Sequence, residues 1–386
     1  MAVGKGVAWT MTPKIEEFLA EAHIETPCLV VDLDVVAANY KRLHRAMPLA
    51  DIYYAVKANP AKPVLETLVD LGSNFDAASV NEVEACLAAG ARPEAISFGN
   101  TIKKQYDIEM AYKKGVRLFA FDCEDELVKI AKGAPEADVY CRIAVSNDGA
   151  EWPLSKKFGC SVTLARDLMI KARDLGLGPR GISFHVGSQQ TDTAQWDVAI
   201  SQVAMLFTDL KEQGIELKMI NLGGGYPVRY RRDVPDCEEY GADIMDSMRR
   251  HFGNAIPEML IEPGRSIVAE AGVLESEVVL VSSRNPNEDK RWVYLDVGLF
   301  GGLAETMGES IRYDITTSRD GGETGPVAIA GPTCDGVDIM YQNADYRMPR
   351  TLTAGDKVRI HAAGAYTTTY ASIGFNGFEP LSEHYI

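Results

Sequence analysis

Between residues 50 and 265, short apolar runs alternate with longer segments in which apolar residues return every three or four positions. The short runs predict strands at Tyr53–Lys57, Asn74–Ala77, Ile96–Gly99, Leu118–Asp122, Val139–Val145, Ile182–Val186, Met219–Leu222 and Met259–Glu262. The segments between them predict helices. In SVTLARDLMIKARDLG, Leu164, Leu168, Ala172 and Leu175 form one stripe, and Gly176 supplies a C-cap. VNEVEACLAAG reads the same way and stops at Gly90. Eight strands alternating with helices over about 215 residues predict an α/β fold, a (β/α)8 barrel. An open doubly wound sheet would carry a G-x-G-x-x-G turn after its first strand, whereas this one runs into VKANP.

Past residue 270 the pattern changes. SEVVLVSS, RWVYLDVG, GPVAIAG and DKVRIHAAG alternate with Gly, Pro, Asn and Asp clusters, which predicts antiparallel β-structure. The early run TPCLVVDLDVV is also strand-like and is expected to join that sheet. The expected organisation is a barrel over residues 38–268, with residues 1–37 and 269–386 forming a C-terminal β-domain that takes in the N-terminal strand.

Charge narrows the partners. With 39 basic and 55 acidic side chains the net charge is −16, and no basic tract breaks the acidity. Nucleic acid and an anionic membrane are therefore not expected partners. Seven cysteines lie scattered without a C-x-x-C pair or zinc spacing, which predicts a reduced cytoplasmic protein with no metal site. Lys5, Thr10, Thr12 and Lys14 interrupt MAVGKGVAWTMTPK, so no signal-peptide core is expected there. No apolar stretch reaches the roughly 20 residues of a membrane span.

Catalytic groups in a barrel sit at the C-terminal ends of its strands. Those ends carry Lys57, Asp76, Asp122, Arg142, His185, the run Gly223, Gly224 and Gly225, and Glu262 followed by Pro263, Gly264 and Arg265. The glycines and Arg265 follow strands seven and eight, where barrels commonly hold a phosphate. Glycine lets backbone N–H groups approach phosphate oxygens, and arginine adds a charged fork. A lysine on the same rim is a candidate Schiff-base nucleophile. A phosphate site facing a lysine is what pyridoxal 5'-phosphate requires, and Glu262 suits its ring nitrogen. His185 could stack on the ring, while Arg142 and Asp76 could fix the lysine and its neighbours.

YAVKANP, FDAAS, SFHVGSQ, LGGGYP, EPGR, GPTCDGVD and GAYT follow one another along nearly the whole chain. In that order the sequence resembles the ornithine decarboxylases, within the alanine-racemase-like, fold-type III pyridoxal phosphate enzymes. The resemblance implies that Lys57 holds the cofactor covalently, that His185 stacks on its ring, and that Glu262 meets the ring nitrogen. It further implies that Ser188, Gly224, Gly225, Gly264, Arg265 and Tyr366 line the cofactor's phosphate side. It implies a head-to-tail homodimer in which GPTCDGVD completes the partner's site. Cys334 would then return a proton to the α-carbon after carbon dioxide leaves, and Asp335 would bind the distal amine of a basic amino acid. Phe300 and Phe375 are counted with the substrate-binding residues. The implied reaction is L-ornithine to putrescine and carbon dioxide.

One segment departs from the family's pattern. Many members have a Tyr–Asp pair after the DVGLF-like stretch, where this chain reads GLFGGLAETMGESIRYDI. Glu305 and Glu309 are the nearest acids that could replace it, and LAETMGES could form a short helix. A dual lysine/ornithine decarboxylase is the main alternative. Diaminopimelate decarboxylase would carry a C-E-S-type sequence at Cys334, Asp335 and Gly336, and alanine racemase would place arginine rather than Glu262 at the ring nitrogen. A non-catalytic regulator of the antizyme-inhibitor kind would have no need of Lys57, Arg265 and Cys334 together.

Overall fold

The computed structural model describes residues 11–386 apart from 23, 147 and 153–156, so the N-terminal run through Thr10 lies outside the described residues. Two units emerge. One comprises Ala37–Pro227 and Val234–Ser266; the other comprises Met1–Val36, Val228–Asp233 and Ile267–Ile386.

The first unit is a closed barrel of eight parallel strands. They are β1 (Ala50–Ala55), β2 (Asn74–Ala77), β3 (Ile96–Phe98), β4 (Leu118–Phe121), β5 (Asp138–Arg142), β6 (Gly178–Ser183), β7 (Met219–Asn221) and β8 (Glu258–Ile261). Each pairs with the next, and β8 closes onto β1 through Met259 and Ala50, Leu260 and Asp51, and Ile261 and Ile52. Most strand residues are buried, as expected where a parallel sheet is covered on both faces. Ala120, Tyr140, Met219 and Leu260 pack together inside, with Tyr53 and Leu118 against them.

All eight predicted strands exist, and the differences lie at their ends. β1 stops at Ala55, and Lys57 sits in a 3-10 turn, Val56–Ala58. β5 ends at Arg142 rather than Val145, and β6 ends at Ser183, two residues before His185. Two short strands outside the barrel, Ala150–Trp152 and Ser188–Gln190, pair antiparallel.

The predicted helix stripe turns by one position. Helix Val162–Asp174, capped by the Ser161 hydroxyl, buries Ala165, Leu168, Met169 and Ala172. Leu164 and Leu175 are exposed, at 45% and 39%. The predicted helix before Gly90 spans Val80–Ala88 and opens on a capping box: Ser79 accepts from the Glu82 N–H, and Glu82 accepts from the Ala78 N–H.

The second unit is a nine-stranded sheet whose longest strand is Gly272–Ser282. The N-terminal strand Cys28–Val31 joins it antiparallel and also pairs parallel with Ser382–Tyr385. The sheet is mainly antiparallel; besides that pair, Arg291–Leu295 runs parallel to Thr324–Ala330. Among the described residues no helix is long and apolar enough to cross a membrane, and no group of three His, Cys, Asp or Glu side chains could hold a metal ion.

Candidate active site

β1 delivers Lys57 by a braced turn. The Tyr54 hydroxyl donates to the Asn59 carbonyl at 3.0 Å, and the Ala55 N–H donates to the Pro263 carbonyl at 3.0 Å. The turn is thereby stitched to the segment after β8. The Lys57 side chain is 47% exposed, with Nζ 3.8 Å from Oδ2 of Asp76. Asp76, on β2, is 4% exposed, and its Oδ1 has no hydrogen-bond partner among the described residues. Burial, reinforced by the Glu262 carboxylate and opposed by the Lys57 ammonium, pushes the Asp76 carboxyl up to about 8.

Glu262 follows β8 directly. Its Oε1 accepts from Asn221 Nδ2 at 2.5 Å, and Asn221 Oδ1 accepts from the Gly223 N–H at 2.9 Å. The Glu262 N–H donates to the Gly223 carbonyl at 2.8 Å. One buried amide thus ties the carboxylate to the start of the glycine run. No motif marked Asn221 in the sequence; its only signal is a polar residue ending an otherwise apolar strand.

His185 lies beyond β6, and its Nδ1 accepts from the Gly187 N–H at 3.0 Å. Burial first, then the charges of Arg142 and Lys57, hold its imidazole well below the usual range, so the ring is neutral. With Nδ1 accepting, the proton sits on Nε2. Arg142 closes β5 with its guanidinium 5.4 Å from the centre of the Phe158 ring.

The glycine run and Arg265 form a pocket for an anion. Gly225 has φ +105°, and a Cβ there would come within 2.2 Å of the Gly187 carbonyl oxygen. Its own carbonyl accepts from the Gln190 N–H. Arg265 is 4% exposed, and its Nε donates to the Ser188 hydroxyl at 3.3 Å. The neighbouring Ser266 hydroxyl is buried without a hydrogen-bond partner among the described residues. Gly264 is buried, and Gly224 packs near Glu262 and His185.

Pyridoxal phosphate needs an amine, an anion cradle and a carboxylate for its ring nitrogen. Lys57, the group around Ser188, Gly225 and Arg265, and Glu262 supply one each. The orphaned Ser266 hydroxyl and Asp76 Oδ1 are polar atoms that a bound polar group can satisfy. The residues fit that cofactor.

The second unit gathers another set. Cys334 and Asp335 are exposed on one turn. That turn hangs on Asp338, 2% exposed, which accepts from the Leu299 N–H at 2.7 Å and from both the N–H and hydroxyl of Thr333. A side chain at Gly331 would meet the Asp338 carboxylate at 2.4 Å, so the turn requires glycine there. The Cys334 N–H donates to Asn376 Oδ1 at 3.0 Å. Phe375, next in the chain, packs on Phe300 with ring centres 4.7 Å apart. Cys334, Asp335, Phe300 and Phe375 are therefore joined through Asp338, which closes the GPTCDGVD motif without a role assigned to it there, and through Asn376, which lies outside every motif.

The two glutamates of the departing segment lie in a 3-10 element, Ala304–Glu309, so LAETMGES does form short helical structure. Glu305 is 3% exposed. Glu309 Oε1 accepts from the backbone N–H groups of Gln342 and Asn343 at 2.7 and 2.5 Å. Glu305 is buried and Glu309 is engaged by two backbone N–H groups, whereas Asp335 is exposed. Tyr366 adopts φ +56°, a left-handed conformation unusual for an aromatic residue.

Residues 33–269 match the family model described as "Pyridoxal-dependent decarboxylase, pyridoxal binding domain". The chain is 36% identical to the lysine/ornithine decarboxylase of Selenomonas ruminantium over 92% of its own length and 88% of that protein's. It is 32% identical to antizyme inhibitor 2 of Xenopus laevis over 92% of its length and 80% of that protein's. The crystal structure of lysine/ornithine decarboxylase from Vibrio vulnificus complexed with cadaverine superposes with a TM-score of 0.87 at 31% identity, covering 97% of this chain and 99% of that one. The same enzyme complexed with putrescine gives 0.86.

Proposed function

The chain belongs to the pyridoxal-dependent decarboxylases, and from that premise we propose that it removes the α-carboxylate of the linear basic amino acids L-ornithine and L-lysine. It is a carboxy-lyase with pyridoxal phosphate as cofactor. The sequence motifs point to ornithine, giving putrescine. Lysine, giving cadaverine, is added because relatives at 36% and 31% identity carry both substrates in their names.

The observation that carries the reading is one barrel rim holding the Lys57 amine, the Glu262 carboxylate and the Ser188–Arg265 pair. Pyridoxal phosphate, when bound, supplies an electron sink for the pair left as carbon dioxide departs. Lys57 would hold the cofactor covalently through its amine. Glu262 would face the ring nitrogen and favour its protonated form, and neutral His185 would offer a flat face to the ring. Ser188, Gly224, Gly225, Gly264 and Arg265 would hold the phosphate, with Asp76 and Arg142 flanking Lys57 and His185.

Cys334 delivers a proton to the α-carbon, Asp335 receives the distal ammonium, and Phe300 and Phe375 contact the methylenes. These residues act on the site of a second copy in a homodimer. Exposed Val337, Ile373 and Phe378, at 63%, 87% and 46%, cluster in sequence around them and suit a self-contact. Glu305 is buried and Glu309 accepts from two backbone N–H groups, whereas Asp335, among the described residues, accepts only from the Val337 N–H and is exposed, which favours it as the acid for the substrate. A reducing cytoplasmic setting suits a Cys334 that works as a thiol.

Borohydride reduction in the presence of pyridoxal phosphate should label Lys57, and carbon dioxide release should be seen from ornithine and lysine. Arginine and meso-diaminopimelate should give little. Release from ornithine alone would narrow the substrate. A protein that is neither coloured nor labelled would overturn the reading, and a labelled one releasing nothing would favour a regulator like antizyme inhibitor 2.

A further inference from the structure

Asn221 ends β7 at 1% exposure, between the carboxylate of Glu262 and the backbone of Gly223. It uses both ends of its amide. Nδ2 donates to Glu262 Oε1 at 2.5 Å, and Oδ1 accepts from the Gly223 N–H at 2.9 Å. Only a carboxamide does this without a proton in doubt, because one end must donate to a carboxylate while the other accepts from an amide. The β7 backbone also holds Asn221 in place: its carbonyl accepts from the Phe184 N–H at 3.2 Å, and Leu222 N–H donates to the Leu260 carbonyl at 2.8 Å. A rigid strand end therefore aims the amide at Glu262.

We infer that Asn221 is a positioning residue for the cofactor's ring nitrogen: by holding Oε1 of Glu262 it commits that oxygen and directs Oε2 to the ring. The inference rests on the proposed function and deepens it, since it names what makes Glu262 a competent partner. In this role Asn221 acts on the ring nitrogen through Glu262, while its other end braces Gly223. Aspartate in its place puts a carboxylate oxygen where Nδ2 donates. Two carboxylates at that separation must share one proton, and the shared proton competes with the ring nitrogen. Alanine instead removes the donor and lets Glu262 turn.

The test compares cofactor binding by the wild-type protein, Asn221→Asp and Asn221→Ala, using two probes. One is pyridoxal phosphate; the other is its analogue with carbon in place of the ring nitrogen. Both form the Lys57 link and fill the phosphate cradle, but only the first needs Glu262. Asn221→Asp should weaken pyridoxal phosphate at least about tenfold, the fold-change expected for loss of a charge-assisted hydrogen bond, and leave the carbon analogue within about twofold. The visible absorption of the bound cofactor should shift in the same variant, and kcat should fall more than KM changes. Asn221→Ala, which introduces no charge, should show the same selectivity to a smaller degree. Equal weakening of both probes would assign Asn221 to the glycine turn and overturn the inference, as would no weakening of either. Failure of the wild-type protein to bind pyridoxal phosphate at all would instead overturn the proposed function, and this inference with it.

Discussion

Lys57 Nζ stands 3.8 Å from Oδ2 of Asp76, a half-exposed ammonium facing a carboxylate that is 4% exposed. The Lys57 ammonium, with a smaller contribution from Arg142, does not compensate the burial. With Glu262 adding a second negative charge, the Asp76 carboxyl is pushed up to about 8 from an ordinary value of 3.8. Between those two values the folded chain holds a proton that the unfolded chain has lost. Stability from this group is thus complete below the ordinary value and drains away as pH rises toward about 8. Asp76→Asn removes the titration. The cofactor-free wild-type protein should lose thermal stability on going from about pH 5 to pH 8, and the variant should lose less. Unfolding midpoints measured across that range decide it; parallel curves would mean that Asp76 is ionised throughout.

Much of this rim was legible because strand ends in a parallel barrel point one way. Locating eight apolar runs was enough to bring Lys57, Asp76, His185, Glu262 and Arg265 to one end, even with strand limits misplaced by up to four residues. The error at β6 did no harm, because residues just past a strand end occupy the same rim. The roles of Asn221 and of Asp338, although Asp338 closes the GPTCDGVD motif, were not legible. Each is one buried polar residue whose role is to satisfy backbone N–H groups and a neighbouring side chain, a relation that exists only after folding. The helix stripe held at Leu168 and Ala172 but not at Leu164 and Leu175, which keep the right spacing while the buried face is completed one position away, at Ala165 and Met169.

Gly225→Ala should dismantle the anion pocket while sparing the barrel. The added Cβ would lie 2.2 Å from the Gly187 carbonyl oxygen, in a backbone conformation with φ +105° that alanine strongly disfavours. Relief requires moving the 187–190 segment, which carries Ser188 and the Gln190 N–H bonded to the Gly225 carbonyl. Affinity for pyridoxal phosphate should drop by at least about tenfold, roughly the 1–3 kcal/mol of one strained residue. Affinity for unphosphorylated pyridoxal should change much less. Titration of both compounds by absorbance checks this, and equal losses would place the damage at Lys57 instead.

The barrel wall contains a charge pair that should be costly to break. Lys103 Nζ, at 0% side-chain exposure, sits 3.0 Å from Glu126 Oε1 and donates to the carbonyls of Asn100 and Ala120 at 2.7 and 2.6 Å. Burial nevertheless draws the lysine down to about 8. Glu126→Gln leaves that ammonium without its counter-charge and should cost roughly 3–5 kcal/mol, whereas Lys103→Met with Glu126→Leu should cost far less. Because the unfolded lysine holds its proton to higher pH, wild-type stability from this group should improve as pH rises from about 8 toward 10.5, and the double variant should lack that improvement. Urea unfolding at several alkaline pH values measures both effects.

Asp338 should separate cofactor binding from turnover. Its carboxylate accepts from Leu299 N–H, Thr333 N–H and the Thr333 hydroxyl, and these bonds fix the turn that presents Cys334 and Asp335. Asp338→Asn keeps the shape but turns one acceptor into a donor facing N–H or hydroxyl groups, which should cost about 1–3 kcal/mol. Asp338→Ala leaves all three donors to find new partners and should cost more. Every one of these bonds lies within the second unit, so pyridoxal phosphate binding to the barrel should stay within about twofold of wild type. Carbon dioxide release should fall at least about tenfold, since a proton donor displaced by even 1 Å can cost a hundredfold. Stopped turnover with intact cofactor binding is the expected pair of results. Unchanged turnover in a folded Asp338→Ala protein would show that the turn bearing Cys334 needs no brace, and would remove the reason for placing the proton donor there.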